Sequence, residues 1–451
     1  MIGLAFRSLR KRAGAFVASF LSMFLGATIL MAFASMLDTA NGDNVTGTAK
    51  STLTTMASVV GGWGLLLVVF AVTSTLTLSV RQRAAEMALL KSIGATPAQL
   101  GRMIVGEAAG LAVVAALLAI APAVLAGRAL LGLLHDTHQV PGEVSYSFGP
   151  IAVAMGLGIT FVSATLAALL TARRATRVRV TESLMAASTG TAKPSRKRLV
   201  FAGLFLLLAL DEAIVTCTLM RDKGSDAMAT SGQADILAAI GLALLSPLIM
   251  RRVTGLLAGP LRMLGATGDL AVTNMRRRTG AMAAAVTPII LFTATAVGTL
   301  FLQATENAAT RAAGVAKTAD QKGIETLNLV VIGMVVLFTA IMLVNTLVAA
   351  TAHRRREFGQ TRLAGATPRQ VLGTVALESV ILTVTGVACG TVAAVFTIVP
   401  FGIARKDSPT PDGSVWTYLA VVALAAVLTG ATAYGATRRA LRTPAVNAVM
   451  P

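Results

Sequence analysis

Apolar residues in this chain gather into runs of about twenty, separated by short polar stretches. The runs lie near 15–37, 56–80, 104–134, 149–172, 199–220, 233–250, 281–303, 326–352, 376–403 and 415–436. A helix rises about 1.5 Å per residue, so roughly twenty apolar residues cross a hydrocarbon core of about 30 Å. The pattern predicts an all-α polytopic membrane protein with about ten transmembrane helices. Arg7, Arg10, Lys11 and Arg12 precede the first run, and Ala32-Phe33-Ala34 resembles a signal cleavage site. That run exceeds the roughly 7–15 residues of a signal-peptide core, so an uncleaved first span is expected. Loops on the outer side are short. Independent folding takes roughly 40 residues, so no large extracellular domain is expected.

Composition narrows the class further. The 451 residues are 55% hydrophobic and 13% charged, with a mean hydropathy of +0.75. Soluble domains are about 25% charged and disordered chains are poor in apolar residues, so both classes are excluded. The net charge of +19 raises nucleic acid as a partner, but its distribution argues otherwise. With the N-terminus inside, 30 of the 39 basic residues fall at the inner ends, and 14 of the 20 acids fall at the outer ends. This is the positive-inside pattern. It predicts a bacterial plasma (inner) membrane protein with cytoplasmic N- and C-termini, whose basic residues face lipid headgroups rather than nucleic acid. Cys217 and Cys389 make no disulfide framework, and His135, His138 and His353 lack the acids or thiols of a metal site.

The chain repeats itself. Residues 81–99 match 352–370 at a constant offset that pairs Glu86 with Glu357, Lys91 with Arg362 and Glu107 with Glu378. The same offset pairs Gly94-Ala95-Thr96-Pro97 with Gly365-Ala366-Thr367-Pro368. Arg10-Lys11-Arg12 aligns with Arg276-Arg277-Arg278, and Arg173-Arg174-Ala175 with Arg438-Arg439-Ala440. The expected organisation is a four-span unit over 1–185, a central two-span segment over 186–269, and a second four-span unit over 270–451. Both units start on the same side, so they are parallel repeats about an axis along the membrane normal.

Each matched segment has a physical reading. A short helix leaves the membrane, carrying an acid and a base five residues apart. Gly94 or Gly365 supplies its C-terminal stop. Thr96-Pro97 and Thr367-Pro368 then read as an N-cap followed by proline in the first turn, so a new helix begins at once and becomes the next span.

A duplicated pattern R-x-x-E-x-x-x-x-K/R-x-x-G-A-T-x-x-Q ending on a later Glu resembles FtsX-like/MacB-like ABC transporter permeases with two FtsX-like units. The resemblance implies a permease that binds no cofactor itself. ATP and Mg would sit on a separate cytoplasmic ABC ATPase, as a dimer, and the chain would not be an enzyme. It also implies that the segment between the second and third spans of each unit is an ATPase-coupling helix. In this chain those residues are Arg81, Glu86, Lys91, Gly94, Ala95, Thr96, Pro97 and Glu107 in the first copy. In the second they are Arg355, Glu357, Arg362, Gly365, Ala366, Thr367, Pro368 and Glu378. Several members of the group carry a large extracellular domain and this chain has none. Export or extraction of an amphipathic or lipid-like substrate is the reading that fits such a compact chain.

Other chemistry is sparse. No G-x-x-x-x-G-K-[ST] loop is present to cradle ATP phosphates, and no H-E-x-x-H occurs. Asp211-Glu212 lies about two-thirds of the way along the fifth run. The pair is either an intramembrane polar site or the outer end of a span that stops early, since mid-span charges cost roughly 2.5–3.5 kcal/mol. Pro122, Pro247, Pro288 and Pro400 predict kinks. A gradient-driven secondary transporter and a scaffold that recruits an ATPase remain alternatives.

Overall fold

The computed structural model describes residues 13–42, 45, 47–60, 92–177, 196–221, 223–314 and 354–449, with scattered positions between 65 and 90 and between 329 and 351. Every regular element among them is helical. They are α1 (Ala13–Ala40), α2 (Gly47–Thr55), α3 (Pro97–Asp136), α4 (Pro150–Arg177), α5 (Arg196–Thr218), α6 (Ala227–Leu256) and α7 (Ala258–Arg262). Then follow α8 (Ala266–Arg277), α9 (Thr279–Ala312), α10 (Arg355–Leu363), α11 (Pro368–Lys406), α12 (Val415–Leu441) and α13 (Ala445–Val449). Eight of them are long and apolar enough to cross a membrane: α1, α3, α4, α5, α6, α9, α11 and α12. The chain is a multi-pass membrane protein. The expected spans at 56–80 and 326–352 lie largely outside the described residues.

The described helices form two compact units, α1–α4 and α5–α13. In the first, α1, α3 and α4 pack on one another through small residues. Ala27 and Met31 of α1 meet Ala116, Ala119 and Ala123 of α3, and a methyl at Gly156 of α4 would lie 2.1 Å from Met31 Cγ. Lipid tails are as apolar as leucine, so close backbone approach, rather than water exclusion, holds such helices together. One end of the unit is tied by polar bonds. The Asp38 carboxylate accepts the first-turn amides of α4, Ile151 N–H at 3.1 Å and Ala152 N–H at 2.7 Å. A carboxylate there also meets the positive end of the helix dipole. Beside it, Ser147 N–H donates to Thr39 Oγ1 at 3.2 Å and Thr39 Oγ1 donates to Ser147 O at 3.1 Å.

In the second unit α9 is the core. Of its apolar window 94% is buried, against 22% for α5 and for α12, which keep broad apolar faces for lipid. The packing of α9 on α11 depends on Gly386 and Gly390, a G-x-x-x-G pair. A methyl at Gly386 would lie 2.5 Å from Ile289, and one at Gly390 2.9 Å from the backbone nitrogen of Ala294. On another face, α6 meets α11 through a reciprocal pair. Ser231 Oγ donates to Thr397 O at 3.0 Å, and Thr397 Oγ1 to Ser231 O at 2.7 Å. The register of α5 against α6 is fixed by the Thr216–Thr230 hydroxyl contact at 2.9 Å and by Leu206 seated on Gly241.

Two departures from the sequence expectation have physical causes. The basic stretch 251–278, expected as a loop, holds the end of α6 and all of α7 and α8. Gly268, Ala271, Val272 and Met275 of α8 are buried on one face, the spacing of an amphipathic helix. This helix is too polar to register as an apolar run. The third and ninth expected spans, 104–134 and 376–403, belong to longer helices of 40 and 39 residues, each extended at its start by the cap described below.

Gly390→Ala is expected to cost about 1–3 kcal/mol, because backbone cannot yield to the added methyl. Gly203→Ala on α5, where a Cβ meets nothing within 4 Å, is expected to be neutral or stabilising. Thermal unfolding of the two variants in the same detergent checks the contrast.

Candidate functional site

Each repeated segment folds into a helix–turn–helix elbow, and the sequence dictates its geometry. In the second copy α10 ends at Leu363, and Gly365 adopts the left-handed conformation with φ +101°. Ala366 N–H returns to Thr361 O at 3.1 Å and Gly365 N–H to Arg362 O at 3.1 Å, the bond pair of a Schellman stop. Thr367 then caps α11. Gln370 N–H donates to Thr367 Oγ1 at 3.3 Å, and Thr367 N–H donates to Gln370 Oε1 at 2.8 Å. This capping box, with Pro368 needing no amide partner, starts the next helix without a spacer.

The first copy repeats the elbow. Gly94 has φ +92°, Ala95 N–H reaches Leu90 O at 3.0 Å, and Thr96 exchanges the same two bonds with Gln99 at 2.9 and 3.3 Å. The two cap residues agree closely, with φ −72° and ψ 152° at Thr96 and φ −72° and ψ 154° at Thr367. Arg81, Glu86 and Lys91 lie outside the described residues.

Behind the second elbow is a buried charge network. Arg354, in the turn before α10, is 5% exposed, and Glu378 of α11 is 2% exposed. Their side chains pair in a fork, with Arg354 Nη2 donating to Glu378 Oε1 at 2.9 Å and Nη1 to the other oxygen. Asn274 of α8 donates to the same carboxylate at 3.3 Å. Glu357 of α10 pairs with Arg278, the residue joining α8 to α9, and lies 3.5 Å from Arg354 Nε. The Arg354 guanidinium also covers the Phe358 ring at 5.0 Å. Burial opposes the charge on Arg354, but the Glu378 and Glu357 carboxylates outweigh it and hold its pKa above the ordinary value. Burial prevails at Arg278 and lowers its pKa, with Glu357 opposing.

The far end of α10 is tied as well. Arg362 donates to Leu441 O at 3.1 Å and Thr443 O at 3.0 Å, satisfying carbonyls at and just past the end of α12. Arg355 donates to the Thr443 hydroxyl at 2.5 Å. So α10 grips α11, the α8–α9 joint and the end of α12 together.

These contacts redistribute the sequence-derived residues. Glu357, Glu378 and Arg362 point into the fold, and Glu107, the counterpart of Glu378, is likewise 2% exposed. What the elbows present outward is Leu89 and Ile93 in the first copy and Leu363 with Arg356, Gln360 and Arg369 in the second. Asp211 and Glu212 lie within α5, which runs on to Thr218, with Asp211 exposed and Glu212 half-buried. Sequence reading passed over Arg354, Arg278 and Asn274 as network members. A signal existed for the two arginines, because Arg83 and Arg12 occupy the matching positions of the first half. Asn274 matches Ser8 and gave none.

Breaking the buried pair is expected to be costly and removing both partners less so. Arg354→Met or Glu378→Leu alone should each destabilise the protein by about 3–5 kcal/mol, and the Arg354→Met/Glu378→Leu double variant should recover much of the loss. Unfolding midpoints of the three variants give the coupling directly.

Comparison with curated proteins gives no match. The sequence profile of the FtsX-like permease C-terminal family matches the chain twice, over residues 58–176 and 329–445. Each match contains one elbow, its Gly-Ala-Thr-Pro turn and the long helix with the buried glutamate, and together they span just over half of the sequence. The chain therefore belongs to the FtsX-like permease family, with the family domain present in two copies.

Proposed function

We propose that this protein is the transmembrane subunit of an ABC transporter, docked through its two elbows onto a separate cytoplasmic ATPase dimer. The observation that carries the reading is the duplicated elbow. Two turns of matching backbone geometry each lead without a spacer into a long spanning helix whose glutamate, Glu107 or Glu378, is buried. Two such elements in one chain suit a partner with two equivalent docking sites. ATP and Mg belong to that partner, and this chain does no chemistry on them.

The elbow residues divide their work in this reading. Leu89, Ile93 and Leu363, more than half exposed, form the apolar contacts with the ATPase. Gly94-Ala95-Thr96-Pro97 and Gly365-Ala366-Thr367-Pro368 keep each elbow rigid, so that displacement passes into the span rather than being absorbed in a flexible turn. Glu357, Arg362 and Glu378 then carry the displacement of α10 into α9, α12 and α11, and Arg355 stiffens the junction. Arg81, Glu86 and Lys91 take the corresponding roles in the first copy.

The basic excess at alternate helix ends supports an inner-membrane orientation with cytoplasmic termini and elbows. The units 1–185 and 270–451 would be the two moving halves, with the central segment 186–269, whose α5 and α6 pack within the second compact unit, moving with the latter. Long apolar faces and short outer loops favour export or extraction of an amphipathic or lipid-like substrate.

Introducing charge at the exposed apolar positions should break docking without unfolding the chain. Leu89→Arg/Ile93→Arg, or Leu363→Arg, is expected to reduce copurification of the partner ATPase roughly tenfold or more, the effect of losing an apolar anchor worth at least about 1.4 kcal/mol. Normal membrane abundance with undiminished ATPase recovery would overturn the docking assignment. Reconstitution with the ATPase in vesicles tests the transport step: export that proceeds without ATP on an ion gradient would favour a secondary transporter instead.

The rigidity of the turn has its own test. Gly365→Ala forces a side chain into the left-handed region, costing about 1–2 kcal/mol. It is expected to lower ATP-driven transport more than ATPase binding, as read by transport rate against copurified ATPase.

A further inference from the structure

Five acidic residues are buried among the described residues: Asp38, Glu107, Asp235, Glu306 and Glu378. Four of them have partners. Asp38 accepts two amides of α4. Arg354 and Asn274 hold Glu378, and Arg405 holds Glu306 in a two-bond fork at 2.7 and 2.8 Å. Glu107 also has a polar or electrostatic partner. Asp235 of α6 is different. It is 2% exposed, and its Oδ1 has no hydrogen-bond partner.

Asp235 lies where α6 and α9 touch. The backbone of α9 comes against the carboxyl at Gly298, where a methyl would lie 2.8 Å from Oδ2. One helical turn away, the buried hydroxyl of Thr295 also lacks a partner. The α5–α6 register puts Asp211 and Glu212 of α5 near the level of Asp235, and neither bonds to it. The other charged or titratable groups on the packed helices toward this end are Cys217 of α5, which donates to Pro400 O at 3.8 Å, Glu306 of α9, and Cys389 and Arg405 of α11. Glu306 and Arg405 are committed to each other. No arginine or lysine among the described residues pairs with Asp235.

A bare carboxylate in such a place costs several kcal/mol, and a buried charge persists only when it is paired or hydrogen-bonded. A divalent metal would require several further oxygen ligands, and the packed backbone at Gly298 leaves one carboxyl. We propose that Asp235 is a proton-binding site in the core of the second unit: its carboxyl carries a proton while α6 is packed on α9, and gives it to water when the two helices part. The packed state binds one proton that the parted state does not. Packing is therefore favoured as pH falls and weakened as pH rises, by at most about tenfold per pH unit, the slope for a single proton. The site is independent of the elbows and of any ATPase, so it stands or falls separately from the proposed function.

The full-length chain in phosphatidylcholine vesicles at neutral pH provides the test. Infrared spectra should contain a protonated-carboxyl C=O band that shifts with 13C-labelled aspartate and in D2O, and that is missing from Asp235→Asn. Gly298→Ala, which presses on Oδ2, should shift the same band. Because the labelled wild type reports by itself, the test survives a poorly folded variant. No aspartyl band in the wild type, or an undiminished one in Asp235→Asn, overturns the proposal. Loss of the band when sodium replaces choline in the buffer would assign the site to a metal cation and overturn it as well. Hydrogen exchange over 227–245, corrected for intrinsic rate, should lose protection with rising pH in the wild type and not in Asp235→Asn. Equal pH dependence in both would refute the coupling to helix separation.

Discussion

The ion pair between Arg354 and Glu378 is what the basic end of the second unit depends on. Neither group has water to fall back on, so each must keep the other. Around that requirement the remaining contacts are arranged. Asn274 fills a further acceptor position on Glu378, Glu357 shares Arg354 with the α8–α9 joint, and Phe358 covers the guanidinium. A short amphipathic helix on a membrane surface would have little stability of its own. Here α10 is nine residues long and is held in place by charge at its start and by the carbonyls that Arg362 satisfies at its end. The elbow is rigid because its supports are electrostatic and buried, whereas its outward face carries Leu363 among the exposed Arg356, Gln360 and Arg369.

Much of this was legible in the residues. Runs of apolar sequence place spanning helices well, because the length of a helix that crosses lipid is set by thickness and rise alone. The elbow could be read almost bond for bond from Gly-Ala-Thr-Pro-x-Gln, since a left-handed stop, a hydroxyl cap and a glutamine that reaches back are local and need no tertiary contact. Partner choice was less legible. The resemblance implies that Glu357 and Glu378 are ATPase-coupling residues, and the fold turns both inward. Which acid meets which base depends on how α8, α10 and α11 pack, and spacing along one helix does not encode that. The amphipathic α8 was hidden for a related reason: its buried face is made of Gly, Ala, Val and Met, too weakly apolar to stand out beside true spans.

The buried acids illustrate how context sets the role of one residue type. Asp38 and Asp235 are both aspartates enclosed by helices. Asp38 sits at the start of α4, where free amides and the helix dipole neutralise it, and it works as a fastener. Asp235 sits in the middle of α6, where every backbone amide nearby is already committed within the helix, and no fastening is available to it. A helix end and a helix middle are different solvents for the same side chain.

The hold of Arg362 on Leu441 and Thr443 has a consequence for the order in which the protein matures. The groups that fix α10 are drawn from both sides of it in the chain, from Asn274 and Arg278 before it to Glu378, Leu441 and Thr443 after it. On the ribosome α10 emerges long before its last anchors do. The second elbow therefore stays unfinished until α12 has entered the bilayer, and a nascent chain cannot present both elbows in working form while it is still being inserted. Assembly of the second elbow is thus ordered by the fold itself, because α10 waits for the carbonyls at the end of α12.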